Sequence, residues 1–401
     1  MLGIHEITRS VKRAALEAGF ELAGVAPVRE FDELAYFPRW IAEGHAGEMK
    51  YLEARDEAGR LKRESLQVAA PWARSVVVCA INYNTAEPYS TQADDPGRGW
   101  ISRYAWGHED YHDVVLRKLR AVEKRLTDAV GALEQNENCR ELVSSCTHDQ
   151  EAHRLSSLGR GARTPVASRP NAGKGDLPSE LRSWCYVDTG PIVERVYAKY
   201  AGVGWIGKNT CVLNQKLGSW LFLGVILTSL ELAADLPAPD RCGTCTRCID
   251  ACPTDAFVAP YQLDANKCIS YLTIEKRGAI PEALRDEVGR QVFGCDICQD
   301  VCPWNRKAPA TQAPEFQPRE GLVNPALEWL AEMQADEFRA TFRGSPVRRA
   351  KLTGLRRNAV IAMGNSGKRE FVDVLRRLRA DSDAAVAESA EWALQELTDK
   401  N

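Results

Sequence analysis

The sequence predicts an α+β protein in three parts, with boundaries at 1–235, 236–312 and 321–401. In the first part, short apolar segments rich in β-branched residues alternate with segments of helical periodicity. The second part contains two closely spaced groups of cysteines. In the third part, apolar residues recur only at helical spacing. A chain of 401 residues is long enough for two or three domains.

The first part is predicted to contain a sheet covered by helices. Segment 75–83 is largely apolar and β-branched, which is typical of a strand buried on both faces. Alternation of strands with helices favours an α/β arrangement of this part. Helices are predicted at 5–19, 31–54, 113–133 and 192–200, and strands at 22–28, 75–83, 184–187, 211–214 and 219–228.

Segment 136–183 interrupts this pattern. It is rich in Ser, Gly, Pro, Asn and charged residues, and it contains few side chains that could form a core. Burial of so little apolar surface would not offset the entropy lost on ordering. We expect a mobile insertion, and a lid over a functional site is the alternative.

Eight cysteines of the second part predict two [4Fe-4S] clusters. Segment 242–253 has the spacing C-x2-C-x2-C-x3-C-P, in which the fourth cysteine binds the neighbouring cluster of a pair. Segment 295–303 repeats this pattern with one cysteine fewer, and Cys268 is available to supply the missing thiolate. By this crossing rule the first cluster takes Cys242, Cys245, Cys248 and Cys302, and the second takes Cys252, Cys268, Cys295 and Cys298.

Zinc binding and disulfide formation are the alternatives for these cysteines. Zinc ribbons pair two C-x2-C groups across a spacer, whereas three cysteines in C-x2-C-x2-C suit three corners of a cubane. The N-terminus lacks a basic segment followed by an apolar core, and no apolar run approaches the ~20 residues of a membrane span. We therefore expect a cytoplasmic protein with no membrane partner, in which cysteines act as ligands more often than as bridges.

A glycine pattern at 202–207 formally matches a dinucleotide-binding fingerprint. Such glycines should follow a strand and open a helix, but here they follow a predicted helix and precede a predicted strand. The match is therefore rejected. A tight turn and a close approach to some other flat ligand are both compatible with these glycines.

The third part combines apolar helical stripes with a basic surface. Paired helices at 325–333, 336–342, 352–363, 369–380 and 383–397 resemble a HEAT-type solenoid fragment. Between 343 and 379 there are 11 Lys or Arg residues against two acidic residues, although the whole chain has a net charge of -3. Such a local excess is either an ordinary solvated helix face or a binding surface for a polyanion such as nucleic acid.

Together these segments resemble the epoxyqueuosine reductase family. The similarity lies in Ile-Ser-Arg-Tyr-Ala-Trp-Gly at 101–107 with Asp-Tyr-His at 110–112, and in 187–195, 202–208, 268–275 and 294–305. It covers nearly everything outside the insertion. Two departures are an extra residue at His108-Glu109 and the unusual length of the insertion.

The resemblance implies a reductive deoxygenation on tRNA. An epoxide of epoxyqueuosine in the anticodon loop would lose its oxygen, with cobalamin reduced through the two clusters. Whether low-valent cobalt attacks carbon directly or meets a carbon radical is left open, as is the electron donor, for which a flavodoxin or ferredoxin is expected. The resemblance also implies a monomer.

The resemblance further implies site residues. Asp188 matches the proton donor, and we expect burial against the cofactor to raise its pKa. A turn-forming role is the alternative for an Asp before Thr-Gly-Pro. Cofactor contacts are expected from Ser102, Arg103, Tyr104, Asp188, Val212, Leu223, Cys295, Asp296 and Cys298. Contacts with tRNA are expected from Lys276, Arg348, Arg349, Arg356, Arg357, Arg376 and Arg377. We expect His112 to be a structural or capping residue.

Two other functions compete with this one. A two-cluster electron carrier would explain the cysteines but would leave the residues before Cys242 without a role. A corrinoid enzyme similar to the reductive dehalogenases, acting on a small molecule, would share the cofactors. That alternative predicts an export signal and no basic helical tail, which is the opposite of what the sequence contains.

Overall fold

The computed structural model describes residues 2–134 and 181–399. Its strands are β1 (Leu22–Pro27), β2 (Ser75–Asn82), β3 (Trp100–Ile101), β4 (Ser183–Tyr186), β5 (Trp205–Ile206), β6 (Val212–Leu213), β7 (Leu221–Thr228), β8 (Phe257–Ala259), β9 (Gln262–Leu263) and β10 (Gln291–Phe293).

The helices of the first two parts are α1 (Leu2–Glu17), α2 (Asp32–Ala42), α3 (Leu66–Ala69), α4 (Tyr111–Glu134), α5 (Glu194–Tyr200), α6 (Arg247–Asp250), α7 (Ile269–Ile274), α8 (Glu282–Val288) and α9 (Ile297–Asp300). The third part contains α10 (Leu327–Glu332), α11 (Ala335–Thr341), α12 (Lys351–Asn365), α13 (Val372–Leu378) and α14 (Ala384–Asp399).

A four-stranded sheet in the order β1-β2-β7-β4 forms the centre of the first part. Every residue of β2 is buried because alternate side chains enter two different cores. Val77 and Ile81 pack with α1 and α4, whereas Val76 and Val78 pack with α5. Burying each such side chain contributes about 1.5–3 kcal/mol. This two-sided burial explains why the strand appears in the sequence as a continuous apolar run.

All pairings within this sheet are antiparallel. The first part therefore belongs to the α+β class, as predicted for the whole chain, and the α/β arrangement expected for this part is wrong. The physical reason is the connectivity. Strands β1 and β2 are neighbours although α2 lies between them in sequence, and they pair with opposite direction rather than through a parallel crossover.

The glycine segment at 202–207 forms a tight turn. Gly202 has a φ of 70° directly after α5, and the chain then enters β5. A Cβ on Gly204 would lie 2.3 Å from the carbonyl oxygen of Leu213, because β5 pairs closely with β6. The rejection of a dinucleotide site is confirmed, and the glycines are explained by backbone packing.

The cysteine-rich part is joined to the first part by a short parallel pairing of β3 with β10. The amide of Ser102 extends this pairing by donating to the carbonyl of Phe293 at 2.7 Å. This pairing places the Ile-Ser-Arg-Tyr segment directly beside the loop that carries Cys295. Two stretches nearly 200 residues apart in sequence therefore form one wall.

The third part packs around α12. This helix contacts α10 and α14, and it also reaches α8 and β10 of the cysteine-rich part. Asn358 donates to the carbonyls of Thr273 and Val292, both at 2.8 Å, and is fully buried. The predicted helix at 369–380 begins as a 3-10 turn at Arg369–Phe371 before α13. The helical tail is thus bonded directly to the cluster-binding part.

The predicted insertion at 136–183 lies outside the described residues except for its last three positions, and its mobility stays a prediction. Cys139 and Cys146 also fall outside them. Within 2–134 and 181–399, no helix has both the length and the apolar character to cross a membrane.

Candidate active site

The first thiol set consists of Cys242, Cys245, Cys248 and Cys302. Cys302 and Cys242 pack together with Trp205 in one small apolar cluster. Burial raises the pKa of the Cys302 thiol to about 11, and the nearby Cys248 and Cys242 thiols contribute to the increase. Burial likewise raises the pKa of Cys248 to about 11, with contributions from Cys242 and Cys245. The four thiols are therefore mutual neighbours.

The second thiol set consists of Cys252, Cys268, Cys295 and Cys298. Burial raises the pKa of Cys295 well above its ordinary value, and Cys268 and Cys252 add to the effect. The pKa of Cys298 is raised by a contact with Cys211, by burial, and by Cys295 and Cys268. Within each predicted set the thiols influence one another's pKa values, and Cys211 is a further neighbour of Cys298. The division into two sets of four ligands stays a prediction.

The separation of these thiols suits [4Fe-4S] clusters better than single metal ions. Among the described residues, no three Cys, His, Asp or Glu side chains are close enough to hold one metal ion. A [4Fe-4S] cluster takes four thiolates at separate irons, so its ligands stand further apart than those of tetrahedral zinc. The all-thiol donor sets fit clusters in their chemistry.

The side chain of Lys208 binds the loop of the first thiol set through two hydrogen bonds. Lys208 Nζ donates to the carbonyl oxygens of Gly243 at 2.7 Å and Cys245 at 3.0 Å. Gly243 has a φ of 53°, which lets the loop turn between the first two cysteines. Lys208 follows the β5 strand, so the glycine turn of the first part also shapes the thiol loop.

Asp296, between Cys295 and Cys298, anchors the second set to the first part. Its carboxylate accepts hydrogen bonds from the Trp100 indole at 3.0 Å, from the Arg103 amide at 2.8 Å and from the Ser102 hydroxyl. The side chain of Asp296 is buried. A buried carboxylate satisfied by three donors holds its loop in one position.

Asp188 stands at the end of β4 in a strained conformation. Its φ is 57°, which is unusual for a residue with a side chain. Its carboxylate is 58% exposed, yet desolvation is the largest single influence on its pKa. Both observations are explained if protein atoms surround the Asp188 carboxylate on its sides and leave it open to solvent on one side. Tyr111 donates its hydroxyl to Asp188 Oδ2 at 3.2 Å.

His112 forms a link between two carboxylates. Its Nδ1 lies 2.7 Å from Asp110 Oδ1, and its Nε2 lies 3.8 Å from Asp188 Oδ2. The ring stacks on Tyr111 with 4.0 Å between ring centroids. Desolvation lowers the pKa of His112, but Asp110 and Asp188 outweigh it and raise the pKa to about 9. The imidazole is therefore protonated at neutral pH, and the expectation of a purely structural or capping role is not sufficient.

The pKa of Asp188 itself lies below its ordinary value. Desolvation acts to raise it, but His112, Arg349 and the Tyr111 hydroxyl together have the larger effect. The predicted increase of this pKa on burial against the cofactor stays a prediction. The raised carboxyl is that of Glu194, which accepts a hydrogen bond from the Asp188 amide at 2.8 Å. Desolvation and the charge of Asp188 raise the pKa of Glu194 to about 8.

Tyr104 connects this acid centre to the second thiol set. Its ring packs edge-to-face on Tyr111 at 5.9 Å and against Phe293 at 5.9 Å. Gly294 lies beside it, and a Cβ on that glycine would lie 2.5 Å from the Ser102 Cβ. The φ of Gly294 is 72°, so both space and conformation demand glycine next to Cys295.

A group of basic and aromatic residues borders the acid centre. Arg349 donates to the Tyr51 hydroxyl at 3.1 Å, forms an ion pair with Glu275 and lowers the pKa of Asp188. Tyr51 is 46% exposed. Arg63 approaches the Tyr51 ring, with 5.9 Å from its Cζ to the ring centroid. Of the predicted tRNA contacts, Arg349 is thus the one whose charge reaches Asp188.

Several predicted cofactor contacts are engaged inside the protein. Arg103 is 1% exposed and donates to the carbonyls of Thr85, Glu87 and Pro88. Ser102 and Asp296 are also buried, and they are bonded to each other. The predicted cofactor contacts of these three residues stay a prediction. Tyr104 and Leu223 are only partly buried, whereas Val212 is buried in the core beneath α5.

The predicted tRNA contacts also divide into two kinds. Arg357 is 1% exposed, and its guanidinium donates to the carbonyls of Leu272, Lys276 and Gly278, so the prediction that it binds RNA is wrong. Arg356 is largely buried and pairs with Asp381 at 2.6 Å. The exposed members are Arg348, which forms no ion pair with a described residue, and Arg376 and Arg377, which pair with Asp373 and Glu332. Lys276 pairs with Glu48.

Comparison with known proteins agrees with this geometry. Residues 241–305 match the model of a 4Fe-4S double cluster binding domain, and residues 63–143 match the model described as epoxyqueuosine reductase QueG, DUF1730. The fold and the two thiol sets therefore define an iron–sulfur oxidoreductase with a double cluster.

Relatives and solved structures extend the match to nearly the whole chain. Epoxyqueuosine reductase of Synechocystis sp. is 40% identical over 84% of this chain and 98% of its own length. That of Xanthomonas campestris pv. campestris is 34% identical over 96% and 94%. A crystal structure of epoxyqueuosine reductase with an epoxyqueuosine-modified tRNA-Tyr stem loop has a TM-score of 0.76 and 27% identity, covering 98% of this chain and 91% of its own. The chain belongs to the epoxyqueuosine reductase family.

Sequence reasoning missed three residues of the acid centre. His112 and Glu194 were not assigned to it, and Tyr111 was noted only as the neighbour of His112. Asp188 and Glu194 are six positions apart, and Glu194 follows the Thr-Gly-Pro turn by about one helical turn. This spacing could have indicated that Glu194 belongs to the acid centre. No feature of the sequence around 110–112 indicates that this segment faces Asp188.

Proposed function

We propose that this protein removes the epoxide oxygen of epoxyqueuosine in tRNA and so produces queuosine. Family membership and the solved relative with a modified tRNA stem loop support the substrate. The observation that carries the proposal is the continuous wall from the second thiol set through Tyr104 to Tyr111 and Asp188. Such a wall places an electron source beside a proton source, which a reductive deoxygenation requires.

The proposed layout has three domains: 1–235 with the acid centre, 236–312 with both clusters, and a HEAT-like helical domain at 321–401 that binds tRNA. Within it, Cys242, Cys245, Cys248 and Cys302 hold one cluster. Cys252, Cys268, Cys295 and Cys298 hold the other. A monomer in the cytoplasm, reduced by a low-potential flavodoxin or ferredoxin, completes the proposal.

Cobalamin is the proposed third cofactor. Tyr104, which packs between Tyr111 and Phe293 next to the second thiol set, is only partly buried and would offer an aromatic surface to the cofactor. Leu223 is also only partly buried. His112 would not bind cobalt at neutral pH, because its Nδ1 is bonded to Asp110 and its pKa is about 9. The residues present therefore fit a corrinoid held by its ring faces and by backbone contacts. When bound, it supplies the low-potential electrons that reach the substrate carbon.

The chain's own residues supply and position protons. Conversion of the epoxide to an alkene consumes two electrons and two protons and releases water. Negative charge develops on oxygen as the C–O bond breaks, and a positioned acid stabilises it. Asp188 is the exposed carboxyl of the centre, so we assign it the final transfer. His112 Nε2–H replenishes Asp188, and the Tyr111 hydroxyl orients Oδ2.

Glu194 provides a second stored proton. Its raised pKa of about 8 leaves it largely neutral at pH 7, and it is joined to the Asp188 backbone. One proton on His112 and one on Glu194 equal the two that each turnover consumes.

The test is conversion of the tRNA nucleoside. The protein reconstituted with iron, sulfide and cobalamin is incubated with epoxyqueuosine tRNA and a low-potential reductant, and nucleosides are analysed by mass spectrometry. We expect loss of one oxygen atom from epoxyqueuosine. Unchanged epoxyqueuosine, with both clusters present and reducible, would contradict the proposal. A carrier would also retain no corrin absorbance after purification.

A further inference from the structure

The two thiol sets differ in their surroundings. In the loop of the first set, Arg241, Gly243, Thr244, Thr246 and Arg247 are all exposed around half-buried cysteines. In the loop of the second set, the residues on both sides of Cys295 are buried. An electron arriving from another molecule therefore meets the first set before the second.

An open groove of about 550 Å³ lies beside the exposed loop. It is formed by the Ser90–Gln92 turn, by α6 and by the chain that follows α9. Tyr89, Ala251 and Val301 provide apolar surface, and Arg247 and Arg306 line the groove with positive charge. Apolar contact area flanked by charge is typical of a protein-binding surface rather than of a plain solvated helix face.

The cations of this groove are free to meet a partner. Arg247 and Arg306 line the groove, and Lys307 follows Arg306 in sequence. All three are exposed, and none of them forms an ion pair with another described residue. Asp300, by contrast, points inward and accepts from the Ser90 hydroxyl at 2.5 Å. Asp250 accepts from Thr246 Oγ1 at 2.8 Å. With Asp300 buried, the exposed charges that line the groove are Arg247 and Arg306 against Asp250, which is a surplus of one positive charge.

We propose that this groove docks a small acidic electron-carrier protein, which passes single electrons to the cluster at the first thiol set. In each transfer the reduced carrier loses one electron and the cluster gains one, so two transfers serve one deoxygenation. The inference rests on the proposed function, since it requires a cluster at these four cysteines. Complementary charge speeds such encounters, and redox encounters of this kind use small interfaces.

A tRNA is the competing polyanion, and the observations favour the carrier. The reacting nucleotide must reach Asp188, and the basic residue whose charge acts on that carboxylate is Arg349. The largest influences on the pKa values of Asp188, His112 and Glu194 include neither Arg247 nor Arg306. Arg247 is instead next to Cys248, where an electron would enter.

The test compares two double charge reversals. Arg247→Glu/Arg306→Glu changes the groove, and Arg9→Glu/Arg13→Glu makes the same charge change on the exposed side of α1. Reduction of the clusters is followed by loss of visible absorbance after mixing with reduced flavodoxin or with dithionite. Binding of oxidised flavodoxin and of a tRNA anticodon stem loop is measured by titration.

We expect the groove variant to be reduced by flavodoxin at least tenfold more slowly than the α1 control at low salt, and to bind oxidised flavodoxin more weakly. The gap should narrow as salt screens the charges. Dithionite reduction and tRNA binding should match the control. Arg247→Gln/Arg306→Gln should show a smaller loss, which distinguishes docking from misfolding.

Equal rates with flavodoxin in groove variant and control would overturn the docking site. Weaker tRNA binding with unchanged flavodoxin reduction would overturn it in favour of RNA. These outcomes leave the proposed function intact if dithionite still bleaches the clusters. A parent protein that carries no dithionite-reducible cluster would instead remove the proposed function, and this inference with it.

Discussion

The acid centre contains four titratable side chains, those of Asp110, His112, Asp188 and Glu194, and their mutual interactions determine which of them are protonated. At neutral pH, His112 carries a proton between Asp110 and Asp188, and Glu194 carries another. Asp188 is ionised, because nearby positive charge outweighs its desolvation. The residue proposed to touch the substrate, Asp188, therefore differs from the residues proposed to store protons, His112 and Glu194, and each can be tested separately.

Asp188→Asn should abolish turnover without disturbing the clusters. An amide cannot pass a proton to the leaving oxygen, and loss of a general acid typically costs about 10²–10⁴-fold in rate. Single-turnover conversion of epoxyqueuosine tRNA measures the effect, with iron content and visible absorbance as checks. Asp128→Asn, on the exposed surface of α4, is the matched control. Full activity of Asp188→Asn would remove this residue from the mechanism.

His112→Gln should change the pH dependence of the rate rather than only its size. In the parent protein the stored proton is present at low pH and is lost as pH rises through the His112 pKa of about 9. In the variant the proton must sit on Asp188, a carboxyl, and is lost at a lower pH. The variant should therefore lose more activity at pH 8 than at pH 6. Parallel pH profiles would assign His112 a structural role only.

The pKa of His112 can also be observed directly. The chain has only six histidines, so nitrogen-15 NMR of the parent and of His112→Gln would identify one resonance. We expect that resonance to titrate near pH 9 in the parent and to move towards the ordinary value of about 6.5 in Asp110→Asn. Titration of His112 near its ordinary value in the parent protein would remove it as the proton store.

Residue spacing could predict the thiols but not the acid centre. The cysteine ligands follow a local rule, because three of them come from one turn and the fourth from a second copy of the pattern. The partners of Asp188 follow no such rule. His112 lies 76 positions earlier, at the start of α4, and its orientation depends on Tyr111 stacking against Phe222 at 4.3 Å. Only tertiary packing determines that contact.

At the scale of elements, β-branched runs and helical periodicity predicted the four strands of the central sheet, α1, α4, α5 and the helices of the third part. They did not predict β3, β5, β8, β9, β10 or the helices of the cysteine-rich part, and the helix expected over 31–54 is limited to α2. They could not predict strand direction, because a strand buried on both faces has the same composition in parallel and antiparallel sheets. Helical periodicity also failed to distinguish buried from exposed arginines in α12. Arg356 and Arg357 are adjacent in a basic run, yet both point towards protein.

The helix α12 should depend on Arg357 for its attachment to the cysteine-rich part. Arg357→Ala leaves the carbonyls of Leu272, Lys276 and Gly278 without this donor. An unsatisfied buried polar group costs about 1–3 kcal/mol, so we expect a total loss of at least about 3 kcal/mol. Arg376→Ala, at an exposed ion pair, should change stability by less than about 0.5 kcal/mol.

Urea unfolding followed by tryptophan fluorescence compares these two variants, with equal slopes required before midpoints are converted to free energies. A similar midpoint for Arg357→Ala and Arg376→Ala would show that the buried hydrogen bonds of α12 contribute little.

For the molecule as a whole, net charge conceals two separate positive regions. One borders Asp188 and includes Arg348 and Arg349, and the other is the groove with Arg247 and Arg306. If each region serves a different partner, substitutions in one region should weaken binding of its own partner and leave binding of the other partner unchanged. Composition alone could not predict this, since 52 basic and 55 acidic residues nearly cancel.

Arg348→Glu should weaken binding of the tRNA stem loop and reduce its salt dependence, while leaving reduction by flavodoxin unchanged. Arg348 is exposed and forms no ion pair with a described residue, so its charge is available to a phosphate. Loss of one phosphate contact lowers the slope of log affinity against log salt by roughly 0.7–0.9. Titrations at several salt concentrations measure this slope, with Arg9→Glu as control. An unchanged slope together with slower flavodoxin reduction would mean that the carrier, and not tRNA, approaches the side of Arg348.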